Sequence, residues 1–305
     1  MALREAMVFS RTVASGGASW TVPANESWLI EGLYCVPSSN DTYLTLIIDG
    51  TVVGKFRVAG KSGNHLPPLA AKTGSLIEAL PGDLFAHCRK RGRALDIPLG
   101  SGQTFTVSRY AEAGDVVIRY SKWDAGDQKG DSPNGSAAKL RRYLHYMTNS
   151  AALTASPGSY DTSLIWSGMD SWPVAGRQVA ANMKIRLLAI FAAAVSHGNN
   201  TANKGYTTDL QLLRDGSYLF NDGVVGIPMG GLSTVTTDAA DYTGVNSAIG
   251  PQTAAQPKPA LWLPEPEVFE QGATLTVQSA LAGMAAGGIA AAELDCALLL
   301  EREVA

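Results

Sequence analysis

At 305 residues the chain is long enough for one large domain or two ordinary ones, each with its own core. Apolar residues make up 46% and charged residues 17%, and 32 glycines and 15 prolines are spread through varied sequence, which describes a globular, turn-rich protein and excludes a low-complexity one. A formal net charge of -3 excludes a global drive toward nucleic acid or anionic membrane and leaves any such contact to a local cluster.

In chain order, Met1 to Ser10 carries Arg4 and Glu5 and lacks an apolar core followed by small residues, so no signal peptide is expected and residues 1–18 read as an N-terminal arm. A first β-sandwich module is expected over 19–123. Its strands are Trp28 to Val36, Leu44 to Ile48, Ser75 to Leu80, Thr104 to Val107 and Asp115 to Tyr120. The run Leu44 to Ile48 is aliphatic, ends in Asp49-Gly50 and is followed at once by Thr51-Val52-Val53, the pattern of a hairpin. A connector is expected over 124–174. It opens with the turn-rich Asp124 to Gly135, after which Ser136 can cap a short helix, Ala137 to Met147, with Leu140, Leu144 and Met147 on one face. Thr148 to Val174 is irregular and carries Trp166 and Trp172. A second module is expected over 175–305, with strands at Lys184 to Val195 and Glu293 to Glu301. The apolar stretches Leu187 to Val195 and Ala280 to Ala292 are too short to cross a bilayer as helices, so no membrane span is expected.

The two modules share a pattern. Val22-Pro23-Ala24-Asn25 is echoed by Val179-Ala180-Ala181-Asn182, and Leu33-Tyr34 by Ile190-Phe191, both at an offset of 157. Leu44 to Gly50 matches Leu210 to Gly216, and Leu95-Asp96-Ile97-Pro98 matches Leu261-Trp262-Leu263-Pro264, both at 166. Thr104 to Val107 matches Thr274 to Val277 at 170, and both alternate polar with apolar as half-buried strands do. The polar segment Ser196 to Tyr206 accounts for the change from 157 to 166. The alanines of Leu187 to Val195 would suit a helix, but its counterpart Trp28 to Val36 is poor in helix formers, so strand is expected in both. The expected fold is all-β: two tandem jelly-roll-like β-sandwich modules with a short connecting helix.

Catalytic patterns are lacking. His65, His87, His145 and His197 form no HxH, HxxxH or HxE pair, and there is no GxSxG, P-loop or strand-borne GxGxxG, so no enzyme, metal or cofactor is expected. Cys35, Cys88 and Cys296 are widely separated and form no CxxC, which points to buried free thiols. Asp124, Asp127 and Asp131 offer oxygen ligands at a spacing that does not fit an EF-hand loop, and a solvated turn is the simpler reading. Arg89-Lys90-Arg91-Gly92-Arg93 places four cations in five residues, dense enough for phosphates or for an acidic neighbouring subunit, or else for an exposed hairpin loop.

Two β-modules of similar pattern, joined by a connector with a short helix, resemble the double jelly-roll coat proteins of icosahedral viruses, including those of bacteriophages. The opening Ser19-Trp20-Thr21-Val22-Pro23-Ala24-Asn25-Glu26-Ser27-Trp28 is similar to the first strand of single-module phage virion β-sandwiches. The resemblance implies a major capsid protein. In that family three chains form a pseudo-hexameric capsomer of an icosahedral shell, so self-association as a trimer, contact with other virion proteins and with packaged nucleic acid, and synthesis in the host cytoplasm are expected. It also implies two alternatives, a decoration or tail-associated phage protein. A duplicated carbohydrate- or receptor-binding β-sandwich is a third reading; it requires exposed aromatics on corresponding surfaces of both modules.

Overall fold

The computed structural model describes residues 3–37, 42–58, 84–125, 140–149, 162–166, 172, 177–194, 204–220, 226–234, 245–247, 250–251, 261–282 and 294–304. The described chain is all-β apart from one helix, and its strand registers are antiparallel. It divides into two units: Met1–Lys61, Pro67–Leu144 and Glu301–Ala305 in one, Ser62–Leu66 and His145–Leu300 in the other.

The first unit holds β1 (Leu3–Thr21), β2 (Glu26–Pro37), β3 (Thr42–Ile48), β4 (Thr51–Val58), helix α1 (Leu84–Lys90), β5 (Ile97–Leu99) and β6 (Thr104–Asp124). Sheet order is β4-β3-β6-β2-β5, with β1 also on β6. β6 organises the unit. Its 21 residues pair along one edge with β1, and along the other with β3 at Phe105 to Arg109 and then with β2 at Gly114 to Asp124.

Neither β1 nor β6 can be straight. Trp20 Nε1 donates to Ser10 Oγ at 2.8 Å, although both belong to β1. A straight strand would hold two residues ten apart about 33 Å from each other, far beyond the reach of these side chains. β1 therefore doubles over between them, and β6, paired to it on both sides of the bend, turns with it. The register break between Ser15 and Gly17 marks the corner. Strands that turn a corner from one layer into a second, facing layer make a sandwich-like arrangement. Its interior receives Trp28, Ile30, Leu33, Leu46, Ile48, Phe105, Val107, Val116 and Ile118, all buried.

The remaining strands are β7 (Leu140–Asn149), β8 (Thr162–Trp166), β9 (Met183–Ala194), β10 (Lys204–Arg214), β11 (Ser217–Tyr218), β12 (Ile227–Thr234), β13 (Val245–Ser247), β14 (Gly250–Pro251), β15 (Leu261–Phe269), β16 (Leu275–Ala282) and β17 (Leu294–Val304). Their order is β14-β13-β12-β10-β16-β8-β7-β17-β9-β15, with β11 on β10. Where the first unit uses the single long β6, this set uses two strands: β16 lies beside β10 and β17 beside β9.

The same local geometry occurs in both units. Leu46 opposes Val107 as Leu212 opposes Val277, and Ile48 opposes Phe105 as Arg214 opposes Leu275. Trp28 opposes Leu99 as Ile185 opposes Phe269. Val22 exchanges backbone hydrogen bonds with Gln103 and Gly102, and Val179 does so with Ala273 and Gly272. Asp49-Gly50 and Asp215-Gly216 both adopt positive φ at the two turn residues, the geometry that a two-residue hairpin requires. Each aspartate then accepts from the backbone across the sheet: Asp49 Oδ1 from Thr104 N–H and Asp215 Oδ1 from Thr274 N–H, both at 2.8 Å.

Several expectations need correction. The segment read as a connecting helix is strand β7 from Leu140 onward; Ala137 to Lys139 lie outside the described residues. Tyr143, Leu144, His145 and Met147 are all buried, so β7 is buried on both faces, and a doubly buried strand has no period-2 pattern to set against helical spacing. Residues 3–18, read as an arm, are part of β1 and are paired along β6. The proline match also shifts: Pro98 opposes Leu29, whereas Pro264 falls in the register break between Trp262 and Glu267, and the residue placed like Pro98 is Val268, opposite Arg186. The strand expected at Ser75 to Leu80 lies outside the described residues.

Candidate interaction site at the end of the helix

Arg89-Lys90-Arg91-Gly92-Arg93 is not a hairpin loop but the end of α1 and its cap. Gly92 N–H donates to the Arg89 carbonyl at 2.9 Å, Arg93 N–H donates to the Cys88 carbonyl at 2.9 Å, and Gly92 has φ +68°. These are the two bonds of a Schellman cap with glycine in the left-handed position. The helix is seated by Phe85 and Cys88, both fully buried. Cations at a helix C-terminus also oppose the partial negative charge of its free carbonyls.

The four cations do not share one role. Arg89 turns inward: its Nη2 donates to the Glu31 carbonyl and to Asp96 Oδ1, each at 3.0 Å. The Glu31 carbonyl is available because β2 has a register break between Ile30 and Gly32, which takes Glu31 out of the ladder with β6. Arg119, buried on β6, donates to the same carbonyl at 2.9 Å, while Ser121 Oγ donates to Glu31 Oε2 at 2.7 Å. Nearby, Arg142 of β7 pairs with Glu301 of β17 at 2.8 Å and donates to the Ala94 carbonyl at 3.1 Å. Asp96 and Glu301 are thus each paired with an arginine, Arg89 and Arg142, and the Glu31 carboxylate accepts from Ser121. Lys90 and Arg91 are exposed and Arg93 half-buried.

Sequence reasoning found the basic run but missed Glu31, Arg119, Arg142 and Glu301, which are spread over more than two hundred positions and meet only through strand pairing. Arg119 carried a signal, being a charged residue inside the otherwise apolar Val116 to Tyr120.

No described protein family matches the chain, and no curated protein is similar enough to it to mark a relative.

The other candidates are placed as follows. Asp124 closes β6 and accepts from Arg4 Nε, while Asp127 and Asp131 lie outside the described residues. No cluster of three or more metal-ligating side chains occurs among the described residues. Cys88 and Cys296 are buried free thiols. Among the described residues no helix is long and apolar enough to cross a membrane. Exposed apolar side chains occur at Leu3, Met7 and Phe9 on β1, and at Tyr218 and Phe220 beyond the β10 turn.

Proposed function

We propose that this chain is a structural protein of a virion, a major capsid subunit built from two jelly-roll modules in tandem that self-associates as trimers forming pseudo-hexameric capsomers. The supporting observation is the repeated geometry. The same turn, the same aspartate cap and the same cross-strand partners recur in the two units, which suits two copies of one module kept alike to tile a nearly six-fold position. The segments between the matched strands differ in length, as in Ser196 to Tyr206, leaving the periphery of each module free to meet different neighbours.

β1 supports association. It pairs only with β6 among the described strands, and Leu3, Met7 and Phe9 present apolar surface along it. An edge strand carrying exposed apolar side chains is a natural surface for a neighbouring copy or another virion protein. The carbohydrate-binding alternative finds less support, because the positions matching Tyr218 and Phe220 at the offset of 166 are Val52 and Gly54, so the first module offers no matching aromatic pair.

Electron microscopy and sedimentation of the purified full-length chain over a range of concentration and salt test the reading. Trimers, or shells built from them, are expected. A chain that stays monomeric at high concentration in every salt overturns the capsid role.

A further inference from the structure

The backbone of β1 near its start carries an inference that rests on the self-association part of the reading above and deepens it. We propose that Leu3 to Phe9 is a self-recognition patch, on which Met7 and Phe9 of one copy pack against Phe9 and Met7 of a second copy running the opposite way.

Met7 gives the strongest signal. Its φ of 57° is left-handed, at the register break between Glu5 and Val8. The other described non-glycine residues with positive φ are Asp49, Asn182 and Asp215, whose short polar side chains tolerate that backbone. Methionine is strained there, at a bulge where glycine sits freely. Met7 is also 62% exposed, so its side chain fills little space inside the fold and glycine would leave no large cavity. The chain thus bears strain to hold out an apolar side chain that faces mainly outward, and strain of this kind marks a residue kept for a contact. Leu3 and Phe9 are exposed on the same strand, which extends the surface beyond a single residue.

The border of the patch favours a second copy as its occupant. Arg4 is paired with Asp124 and, at 3.7 Å, with Glu26, and Glu5 is paired with Lys122 at 3.1 Å. An approaching surface meets apolar side chains framed by ion pairs already formed, which suits a partner as apolar and as evenly charged as the patch itself. Met7 and Phe9 flank Val8, so a two-fold axis at Val8 sets a thioether on a ring twice, whereas a parallel approach stacks like on like. The bulge interrupts the ladder, so the contact is made by side chains and not by strand addition. Three side chains from each copy fall well short of a standard interface, so the contact is weak between lone chains and gains strength where copies are held together.

The test uses the full chain. Met7→Gly should unfold at a urea concentration no lower than wild type and yet associate about tenfold or more weakly in sedimentation equilibrium. Met7→Leu, apolar and similar in size, should keep wild-type association. Orientation is read by disulfide trapping: Met7→Cys mixed with Phe9→Cys should form cross-linked dimers faster than either variant by itself, with the wild-type chain as background for the native thiols. The proposal is overturned if Met7→Gly associates as wild type does, if it unfolds more readily than wild type, or if the mixed pair cross-links no faster than the single variants. Binding to phosphatidylcholine vesicles that Met7→Gly abolishes while association stays unchanged also overturns it and assigns the patch to a lipid surface. Failure here is separable from failure of the capsid reading. Trimers indifferent to Met7 overturn this contact and leave the capsid role standing, and dimers lost in Met7→Gly without any trimer do the reverse.

Discussion

A methyl group added at Gly17 would place its carbon 2.9 Å from the Val107 carbonyl oxygen and 3.3 Å from the Ser108 Cα, both backbone atoms that cannot swing aside. Gly17 sits where β1 turns its corner, so the contact cannot be relieved without opening the pairing with β6. Gly17→Ala should destabilise the protein by about 1–3 kcal/mol, read by urea unfolding. His145 makes a second prediction at this scale. It is fully buried, and burial holds its imidazole well below the ordinary value of 6.5. The unfolded chain therefore takes up a proton near pH 6.5 that the folded chain refuses. Stability from this source is intact above that pH and falls as the pH drops below it, by up to about 1.4 kcal/mol per pH unit. His145→Leu should flatten the decline measured between pH 7 and 5; an unchanged slope would remove His145 as its cause.

Between elements, the Arg142 and Glu301 pair joins β7 to β17, with side chains only 23% and 8% exposed. Removing one partner leaves the other charge in a poorly hydrated place, so Arg142→Ala should cost about 3 kcal/mol. Replacing both, as Arg142→Met with Glu301→Leu, should recover much of that loss in thermal unfolding. Much at this scale was legible in the sequence. Asp49-Gly50 and Asp215-Gly216 announced their hairpins because few other residues accept two successive left-handed positions. Phe105 and Val107, and Leu275 and Val277, showed their buried faces by alternation. β7 and α1 were not legible, for opposite reasons. β7 is buried on both faces, and its leucines fall by chance at helical spacing, while α1 spans only 7 residues, too few to establish a period. The network at Glu31 was out of reach because it depends on a register break whose position no local pattern marks. The cap at Gly92 was within reach, since a glycine directly after a basic run is a helix-end signal.

At the scale of the whole molecule, the matched turns make a quantitative expectation. Asp49 and Asp215 have φ of 48° and 50°, and each accepts from the backbone N–H that opens the strand opposite. Asp49→Ala and Asp215→Ala should therefore cost nearly the same, about 1–2 kcal/mol each, from a lost hydrogen bond and the strain of alanine at positive φ. Asn at either site keeps an acceptor and tolerates the backbone, so it should cost much less. Widely different values from chemical denaturation would show that the two hairpins are alike in shape but not in energetics.

The pairing of β1 also has a consequence in time. Leu3 opposes Trp123 and Thr12 opposes Val116, so β1 takes its partners from residues made more than a hundred positions later. At translation rates of about 5–20 residues per second, β1 waits roughly 5–25 s with its backbone unpaired. Synthesis thus holds open an adhesive strand for longer than most small domains need to fold, and a cell making this chain in bulk must shield that strand until β6 arrives.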